Sequence, residues 1–226
     1  MLGQLKFDCR GRGKAEWSDL YGLPVLRSRT DPEGWLGEHR LRRAGRSLWR
    51  CGVMRTLVPS GFKRWDLLEE YGLVPVEPGT FLRAQSLPLT LGALERQGTA
   101  PDRATVALRG LRADREMVRA AAQLCPRVRR LVISAPRGGR ELANWLRWEY
   151  GVPILPEEEP GQVALCFHPD KKREEEETLG LYGTNPDLGG LNVSAPELSE
   201  EDRADLPLLA VLWEGGRLDS GKLKIT

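Results

Sequence analysis

A segment near the middle of the chain has the residue types that bind anions. Residues 134–139 read S-A-P-R-G-G, so the hydroxyl group of Ser134, the cation of Arg137 and the glycines Gly138 and Gly139 directly precede a helical pattern. Exposed backbone amides at a helix N-terminus attract phosphate or carboxylate groups. The two glycines are also typical of a tight strand-to-helix turn, and the sequence leaves both interpretations open.

A second, weaker segment of this kind occurs earlier in the chain, where Ser60, Gly61 and Lys63 precede another helical pattern. Neither segment matches the dinucleotide motif G-x-G-x-x-G or the phosphate loop G-x-x-x-x-G-K-[ST]. The sequence therefore predicts a small anionic ligand, such as a nucleotide or a phosphate ester, and names no cofactor.

Two segments share the pattern R-x-D-x-E, one beginning at Arg29 and the other at Arg112. Arg112 and Asp114 join the candidate ligand-binding residues because the second segment follows a predicted strand. A carboxylate beside arginines stays ionised, which makes it a poor proton carrier. The pattern favours the alternative that Asp31 and Asp114 are helix N-caps, with a helix beginning near Asp31.

Other site chemistries have little support in the residue pattern. The two histidines, His39 and His168, are far apart, the four cysteines have no C-x-x-C spacing, and no serine lies in a G-x-S-x-G motif. Metal sites and activated nucleophiles need such groupings. The sequence predicts no metal site, identifies no catalytic residue and leaves open whether the protein is an enzyme.

A similar block occurs twice and sets the predicted order of elements. C-G-V-M-R-T-L-V-P-S begins at Cys51 and C-P-R-V-R-R-L-V-I-S begins at Cys125, which places Leu57 opposite Leu131. Each block leads through an amphipathic run to E-Y-G. We interpret this as an internal duplication; the alternative is that similar elements use similar residues.

Each copy is predicted to form β-α-β-α-β, repeat 1 over residues 23–76 and repeat 2 over residues 105–155. A crossover helix over 80–97 joins the two repeats, and a β-rich extension follows over 160–226. Strands that alternate with helices pair in parallel. The sequence therefore predicts one α/β domain over residues 1–226, in which two Rossmann-like halves form a largely parallel sheet. Ligands of such sheets bind beyond the carboxyl ends of the strands, where the candidate loops fall.

Three local predictions depend on short patterns. Leu2 to Cys9 is predicted to be an edge strand, and Arg10 to Gly13 a turn. Lys171 to Glu177 pairs bases with acids four residues apart, which is typical of an exposed helical turn or a solvated loop.

Charge is distributed unevenly although the net charge is only +2. Between Trp35 and Arg64, eight Lys or Arg residues accompany the single acid Glu38. A helical arrangement puts four arginines on one face, which a nucleic acid would contact through its phosphates: Arg40, Arg43, Arg46 and Arg50. The sequence favours a solvated helix face instead. A non-catalytic interaction or scaffold protein is the second predicted function.

The apolar pattern gives an expectation about the cellular setting. No apolar run approaches the roughly 18 residues of a membrane span, and Met1 to Asp8 lacks the apolar core of a signal peptide. The sequence predicts a cytoplasmic protein with no membrane partner. It does not indicate an oligomeric state.

Overall fold

A computed structural model describes residues 1–169 and 176–226. The prediction for Lys171 to Glu177 therefore falls largely outside the described residues. Of the strands, those before residue 80 are β1 (Leu2–Phe7), β2 (Arg12–Leu20), β3 (Leu23–Thr30), β4 (Arg55–Leu57) and β5 (Val74–Pro75). The later strands are β6 (Thr105–Arg109), β7 (Arg130–Ser134), β8 (Ile154–Leu155), β9 (Val163–Cys166), β10 (Glu177–Gly180), β11 (Val193–Ser194) and β12 (Lys224–Ile225). The helices are α1 (Gly37–Arg50), α2 (Trp65–Glu69), α3 (Gly79–Ala84), α4 (Ser86–Arg96), α5 (Arg115–Leu124), α6 (Gly139–Tyr150) and α7 (Leu206–Glu214).

The described chain divides into two compact units, which we call unit 1 and unit 2. Unit 1 comprises residues 1–76 and 211–219, and unit 2 comprises residues 77–210 and 220–226. Each unit has its own five-stranded sheet. The α/β class with parallel strands is confirmed, but the strands form two sheets where the sequence predicted one. The count of one domain stays a prediction.

The sheet of unit 1 has the order β2-β3-β1-β4-β5, in which β1 pairs in parallel with β3 and β4. The prediction that β1 is an edge strand is wrong. Gly3 interrupts the apolar pattern that is typical of a central strand. This glycine is buried, and a Cβ atom at its position would lie 2.6 Å from Val53 Cγ1. Close packing at this point therefore requires a glycine, which a hydrophobicity pattern does not recognise.

The edge of this sheet is β2, an antiparallel strand that the sequence did not predict. Its first residues lie in the segment predicted as a turn from Arg10 to Gly13, but Arg12 already pairs with Thr30. The register then shifts between Arg12 and Ala15. Gly13 has φ 67° within this bulge, a conformation that glycine adopts without steric cost.

The first helix, α1, begins at Gly37 rather than near Asp31, so the prediction that Asp31 is an N-cap is wrong. Gly34 has φ 76°, which breaks any helix that begins earlier. The Asp31 carboxylate instead accepts hydrogen bonds from Glu33 N at 3.0 Å and Arg40 Nη1 at 2.7 Å. Leu41, Ala44 and Leu48 recur at steps of three and four residues and form part of the core of unit 1. Cys51 continues this spacing but is exposed.

The sheet of unit 2 has the order β10-β9-β6-β7-β8, and all its neighbouring strands are parallel. Helix α6 lies on the face of this sheet to which Ile133 points, because a Cβ atom at Gly139 would lie 3.7 Å from Ile133 Cγ2. Successive residues of a strand point to opposite faces. Val132, clustered with Ala107 and Ala164, therefore lies on the other face. The crossover from β8 to β9 contains no helix.

The predicted crossover helix over residues 80–97 is two helices that meet at Gln85. Pro88 explains the break because it has no N–H group to donate to the carbonyl of Ala84, and its ring crowds that carbonyl. The predicted C-terminal extension also differs from the structure. Its strands β9 and β10 belong to the parallel sheet of unit 2, and only β11 and β12 form a separate antiparallel pair.

The two predicted repeats share an order of elements but not a sheet position for their first strand. Leu57 lies on β4 and Leu131 on β7, as expected. However, β1 separates β3 from β4, whereas β6 lies beside β7. Within the described residues, no helix combines the length and apolar character needed to cross a bilayer.

Candidate functional site

The strand order of unit 2 identifies one crevice where a ligand would be expected to bind. The chain leaves β6 toward β7 and β8 on one side and later adds β9 and β10 on the other. Strand order therefore reverses between β6 and β9, and open α/β sheets bind ligands at the carboxyl ends of the strands at such a point. The loops after β6 and β7, and residues 167–169 after β9, lie at that edge.

The loops after β6 and β7 are joined by their backbones. Gly110 N donates to Ser134 O at 3.0 Å, and Ala113 N donates to Arg137 O at 2.8 Å. Arg112 and Arg137 form an isolated parallel bridge, so the two residues lie side by side. Both are exposed, and neither forms an ion pair with the described residues. This arrangement brings together two of the predicted ligand residues.

The N-terminus of α6 lies beside this pair and has no side-chain cap. Gly138 is its N-cap residue with φ 76°, and a Cβ atom at Gly139 would lie 3.2 Å from Ala135 Cβ. The turn therefore requires the first glycine for its left-handed backbone and favours the second for close packing. Ser134 ends β7 half-buried at the same edge. The glycines have a structural role whether or not an anion binds.

The N-terminus of α5 differs from that of α6 because it has a carboxylate cap, although both helices carry a glutamate in the first turn, Glu116 in α5 and Glu141 in α6. Asp114 is its N-cap, with Oδ1 accepting from Met117 N at 2.9 Å, which confirms the predicted cap. Glu116 in the first turn forms an ion pair with Arg83 at 2.7 Å. A pyrophosphate in a dinucleotide fold binds at this helix end. Here two carboxylates would repel it.

Arg83, from α3, occupies the edge between β9, β10 and α5. Its Nη2 atom donates to Phe167 O at 2.9 Å and its Nε atom donates to Leu181 O at 3.1 Å. The guanidinium carbon lies 5.9 Å from the centre of the Phe167 ring. Both carbonyls directly follow strands, so Arg83 lies at the carboxyl ends of β9 and β10, beside the crevice between β6 and β9. Sequence analysis missed this residue, which lies in the crossover segment without a motif.

Arg109 makes the most buried ionic contact in the described chain, and the sequence analysis also missed it. Its side chain and that of Glu176 are each 1% exposed. Arg109 Nε donates to Glu176 Oε2 at 3.1 Å, and Nη2 donates to Glu176 Oε1. Further bonds at 3.3 Å reach the carbonyls of Glu157 and Glu159 in the β8–β9 crossover. Arg109 therefore anchors a crossover that has no helix. An arginine at the end of the apolar run V-A-L-R was the available signal.

Ser60, the remaining predicted site residue, lies in unit 1, whereas the other six lie in unit 2. It is exposed, and the helix α2 that follows it has five residues, with Trp65 as its first. The short helix and its distance along the chain from Ser60 give that loop no N-terminal anion site.

The described part of the chain gives little support for a catalytic nucleophile or a metal site. Burial raises the pKa of the Cys125 thiol to about 11, which keeps it protonated and unreactive at neutral pH. No group of three or more His, Cys, Asp or Glu among residues 1–169 and 176–226 is placed to hold a metal ion.

A cleft of about 320 Å³ lies in unit 1, and none of the predicted ligand residues lines it. It is lined by Asp31, Glu33, Gly34, Trp35, Leu36 and Arg40. The ion pair between Asp31 and Arg40 neutralises part of its charge. The cleft therefore offers no uncompensated cation for an anionic ligand.

Comparisons with known proteins give no family. No protein-family model matches the chain, and no curated protein matches it. A solved structure of L-tryptophan dehydrogenase from Nostoc punctiforme is 13% identical with a TM-score of 0.33, over 73% of this chain and 55% of that one. A glutamate dehydrogenase structure is 13% identical with a TM-score of 0.27, over 73% of this chain and 51% of that one. The chain thus spans about half the length of these two proteins, and similarity at this level carries no conclusion about activity.

Proposed function

We propose that unit 2 binds a small anionic ligand, a nucleotide or a phosphate ester, at the carboxyl ends of β6 and β7. The observation that carries the proposal is the bridge between Arg112 and Arg137 beside the uncapped N-terminus of α6. Two neighbouring arginines and the uncapped N-terminus of a helix attract the same anion. The occupied N-terminus of α5 favours a single phosphate over the pyrophosphate of a dinucleotide.

The site residues have distinct roles in this proposal. Arg112 and Arg137 provide the charge, Ser134 provides a hydroxyl group, and Gly138 and Gly139 allow the backbone to approach the ligand. Asp114 does not touch the ligand but fixes the start of α5 through its bond to Met117 N. Ser60 has no part in this site.

Thermal unfolding in the presence of AMP, ATP, NADH or inorganic phosphate tests this proposal. Ligand at 100 times its Kd stabilises the folded state by about 2.7 kcal/mol, which raises Tm by several degrees. The variant R112Q/R137Q is expected to lose that shift. Arg130 is the matched control because it is exposed at the opposite end of β7, so R130Q should keep the shift. No shift at millimolar ligand, or an undiminished shift in R112Q/R137Q, contradicts the proposal.

We infer a non-catalytic scaffold protein as the second candidate function, because Arg83 occupies the carboxyl ends of β9 and β10 beside the crevice where a ligand of this sheet would bind. In that case none of the four probes stabilises the wild-type protein. The variant R83A, which empties the edge, would then be the form that gains a ligand-dependent shift. Turnover of a nicotinamide or phosphate substrate by the wild-type protein contradicts this candidate.

We also propose that the chain arose by internal duplication. The order α1-β4-α2-β5 matches α5-β7-α6-β8, and Leu57 and Leu131 both lie on strands. The different sheet positions of β3 and β6 limit the proposed match to these four elements. Superposing residues 37–75 on 115–155 in an experimental structure tests it, and a common path of all four elements is expected. Unrelated helix directions contradict it.

We propose a cytoplasmic setting for the protein. Cys9, Cys51, Cys125 and Cys166 are free thiols, as expected in a reducing compartment. Fractionation of cells that express the full chain tests this. Recovery with the membrane or the secreted fraction contradicts it.

A further inference from the structure

Unit 1 carries a surface of uncompensated positive charge on the outer side of α1. The unit has fifteen Lys or Arg residues against eleven Asp or Glu residues. No acidic residue occurs between Glu38 and Asp66. Three arginines spaced three and four residues apart lie exposed on the face of α1 that points away from the core: Arg43, Arg46 and Arg50.

Neighbouring arginines are neutralised within unit 1, whereas these three are not. Arg42 forms ion pairs with Glu38 and Glu70, and Arg64 pairs with Glu38. Arg40 pairs with Asp31, and Arg55 pairs with Glu214. Arg43, Arg46 and Arg50 form no ion pair with the described residues. Their charge is therefore available to an external anion.

The edge strand β2 extends this surface, since it lies along α1. Ala15 N donates to Ser47 Oγ at 2.9 Å, and a Cβ atom at Gly13 would lie 3.3 Å from Ala44 N. Arg12 and Lys14, on either side of Gly13, are both exposed and form no ion pair with the described residues. Arg12 and Lys14 on β2 and the three arginines of α1 are thus five exposed cations on two neighbouring elements.

The same two elements carry two exposed tryptophans. Trp17 on β2 is 65% exposed and Trp49 on α1 is 53% exposed. Exposing a large indole ring to water forfeits the free energy of its burial, so a partner that covers the ring is favoured. Arg43 to Arg50 extends roughly 10 Å along the helix axis, the length of about three stacked nucleotides at 3.4 Å each.

We propose that the outer face of α1 and the edge strand β2 form a binding surface for single-stranded nucleic acid. The five cations contact phosphates, while Trp17 and Trp49 stack on bases. A single strand fits better than a duplex, whose bases are already stacked and have no free face for an indole ring. The sequence pattern favoured a solvated helix face. The structure adds the cations of β2, the two exposed indole rings and the finding that no acidic residue among residues 1–169 and 176–226 pairs with the three arginines. This surface is independent of the proposed anion site in unit 2.

Fluorescence anisotropy with a labelled 12-residue oligo(dT), an oligo(U) of equal length and a matched DNA duplex tests the charge contribution at 50–300 mM salt. Each phosphate contact to a single strand contributes about 0.7 to the slope of log K against log salt. The variant R43Q/R46Q/R50Q should therefore show a slope shallower by about 2 and at least tenfold weaker binding at 100 mM salt. The control R103Q/R119Q/R127Q removes three exposed arginines of unit 2 and should bind as wild type.

The tryptophans are tested separately because they distinguish nucleic acid from other polyanions. W17A and W49A should each weaken binding to oligo(dT) by about fivefold or more, the effect of losing one stacked base. Trp148, which is 89% exposed in unit 2, is the matched control, and W148A should leave binding unchanged. Unchanged circular dichroism and urea midpoints confirm that the variants fold.

Four outcomes overturn the proposal. They are no binding of either oligonucleotide at 50 mM salt, equal binding of the duplex, unchanged affinity in W17A and W49A, and tighter binding to phosphatidylserine vesicles than to oligo(dT). The vesicle result would assign the same arginines and indole rings to an anionic membrane surface instead.

Discussion

Arg109 and Glu176 form an ion pair in which each side chain is 1% exposed, although the residues lie 67 positions apart in the sequence. Glu176 also accepts a hydrogen bond from Gly161 N at 2.8 Å. The pair therefore joins the end of β6, the crossover before β9 and the start of β10. It fixes these segments relative to one another within unit 2.

Removal of one partner of this pair is expected to destabilise the protein strongly. R109M leaves the Glu176 carboxylate buried without its cation, which costs about 3–5 kcal/mol. The double variant R109M/E176L should lose less free energy of unfolding than the two single variants lose in sum, because it leaves no unpaired charge buried. Urea denaturation of the three variants measures this. Additive losses would show that the two residues act independently.

Arg83 is expected to contribute to stability through its two carbonyl partners. R83A removes the donors to Phe167 O and Leu181 O, and unpaired carbonyls cost about 1–3 kcal/mol. Arg119, which is exposed on α5 and forms no ion pair with the described residues, is the matched control. R119A should change the free energy of unfolding by less than about 0.5 kcal/mol. Equal losses in R83A and R119A contradict a special role for Arg83.

Thr56 offers a route to a more stable protein. It is 1% exposed, and its Oγ1 atom has no hydrogen-bond partner in the described structure. T56V keeps the shape of the side chain and removes the unpaired hydroxyl group. The free energy of unfolding, measured by urea denaturation, is therefore expected to rise by about 1 kcal/mol.

Thr90 provides the control for that substitution. It is 0% exposed, and its Oγ1 atom donates to Ser86 O at 2.8 Å. T90V removes this hydrogen bond, so the free energy of unfolding is expected to fall by about 0.5–1 kcal/mol. A destabilised T56V variant would show that the hydroxyl group of Thr56 has a partner in solution.

Asp205 is expected to make stability depend on pH. Burial raises the pKa of its carboxyl group above the usual value, and the charge of Asp202 adds to this, whereas the hydrogen bond from Leu208 N lowers it. The folded state therefore binds the proton more tightly than the unfolded state does. As a result, this group lowers stability as the pH rises from the unfolded pKa through the higher folded pKa.

D205N removes that penalty and retains a side-chain oxygen for Leu208 N, whose bond to Asp205 Oδ1 measures 3.1 Å. The variant should be more stable than wild type at pH 7, and the difference should vanish in acid, where the wild-type carboxyl group is protonated. Urea midpoints between pH 3 and pH 7 measure this. A difference that does not change with pH contradicts the burial effect.

Local chemistry determined the elements whose signals lie within a few residues. The glycines that precede and follow a helical pattern match the bounds of α6, because Gly138 and Gly151 take left-handed conformations at its two ends. Leu142 and Leu146, four residues apart, lie on its buried side. Asp114 was predicted as a cap for the same reason, since its partner Met117 N is three residues away.

Tertiary structure alone decided which strands are neighbours and which charges meet. Gly3 gave no sign that β1 is central, because a glycine is selected there by the approach of Val53. Arg83 reaches Phe167 and Leu181, which are 84 and 98 positions further along the chain. Periodicity and capping act over one or two turns, so a sequence pattern can place an arginine on a helix or at a strand end. Its partner is fixed only when distant segments pack together, and the buried pair of Arg109 and Glu176 arose in this way.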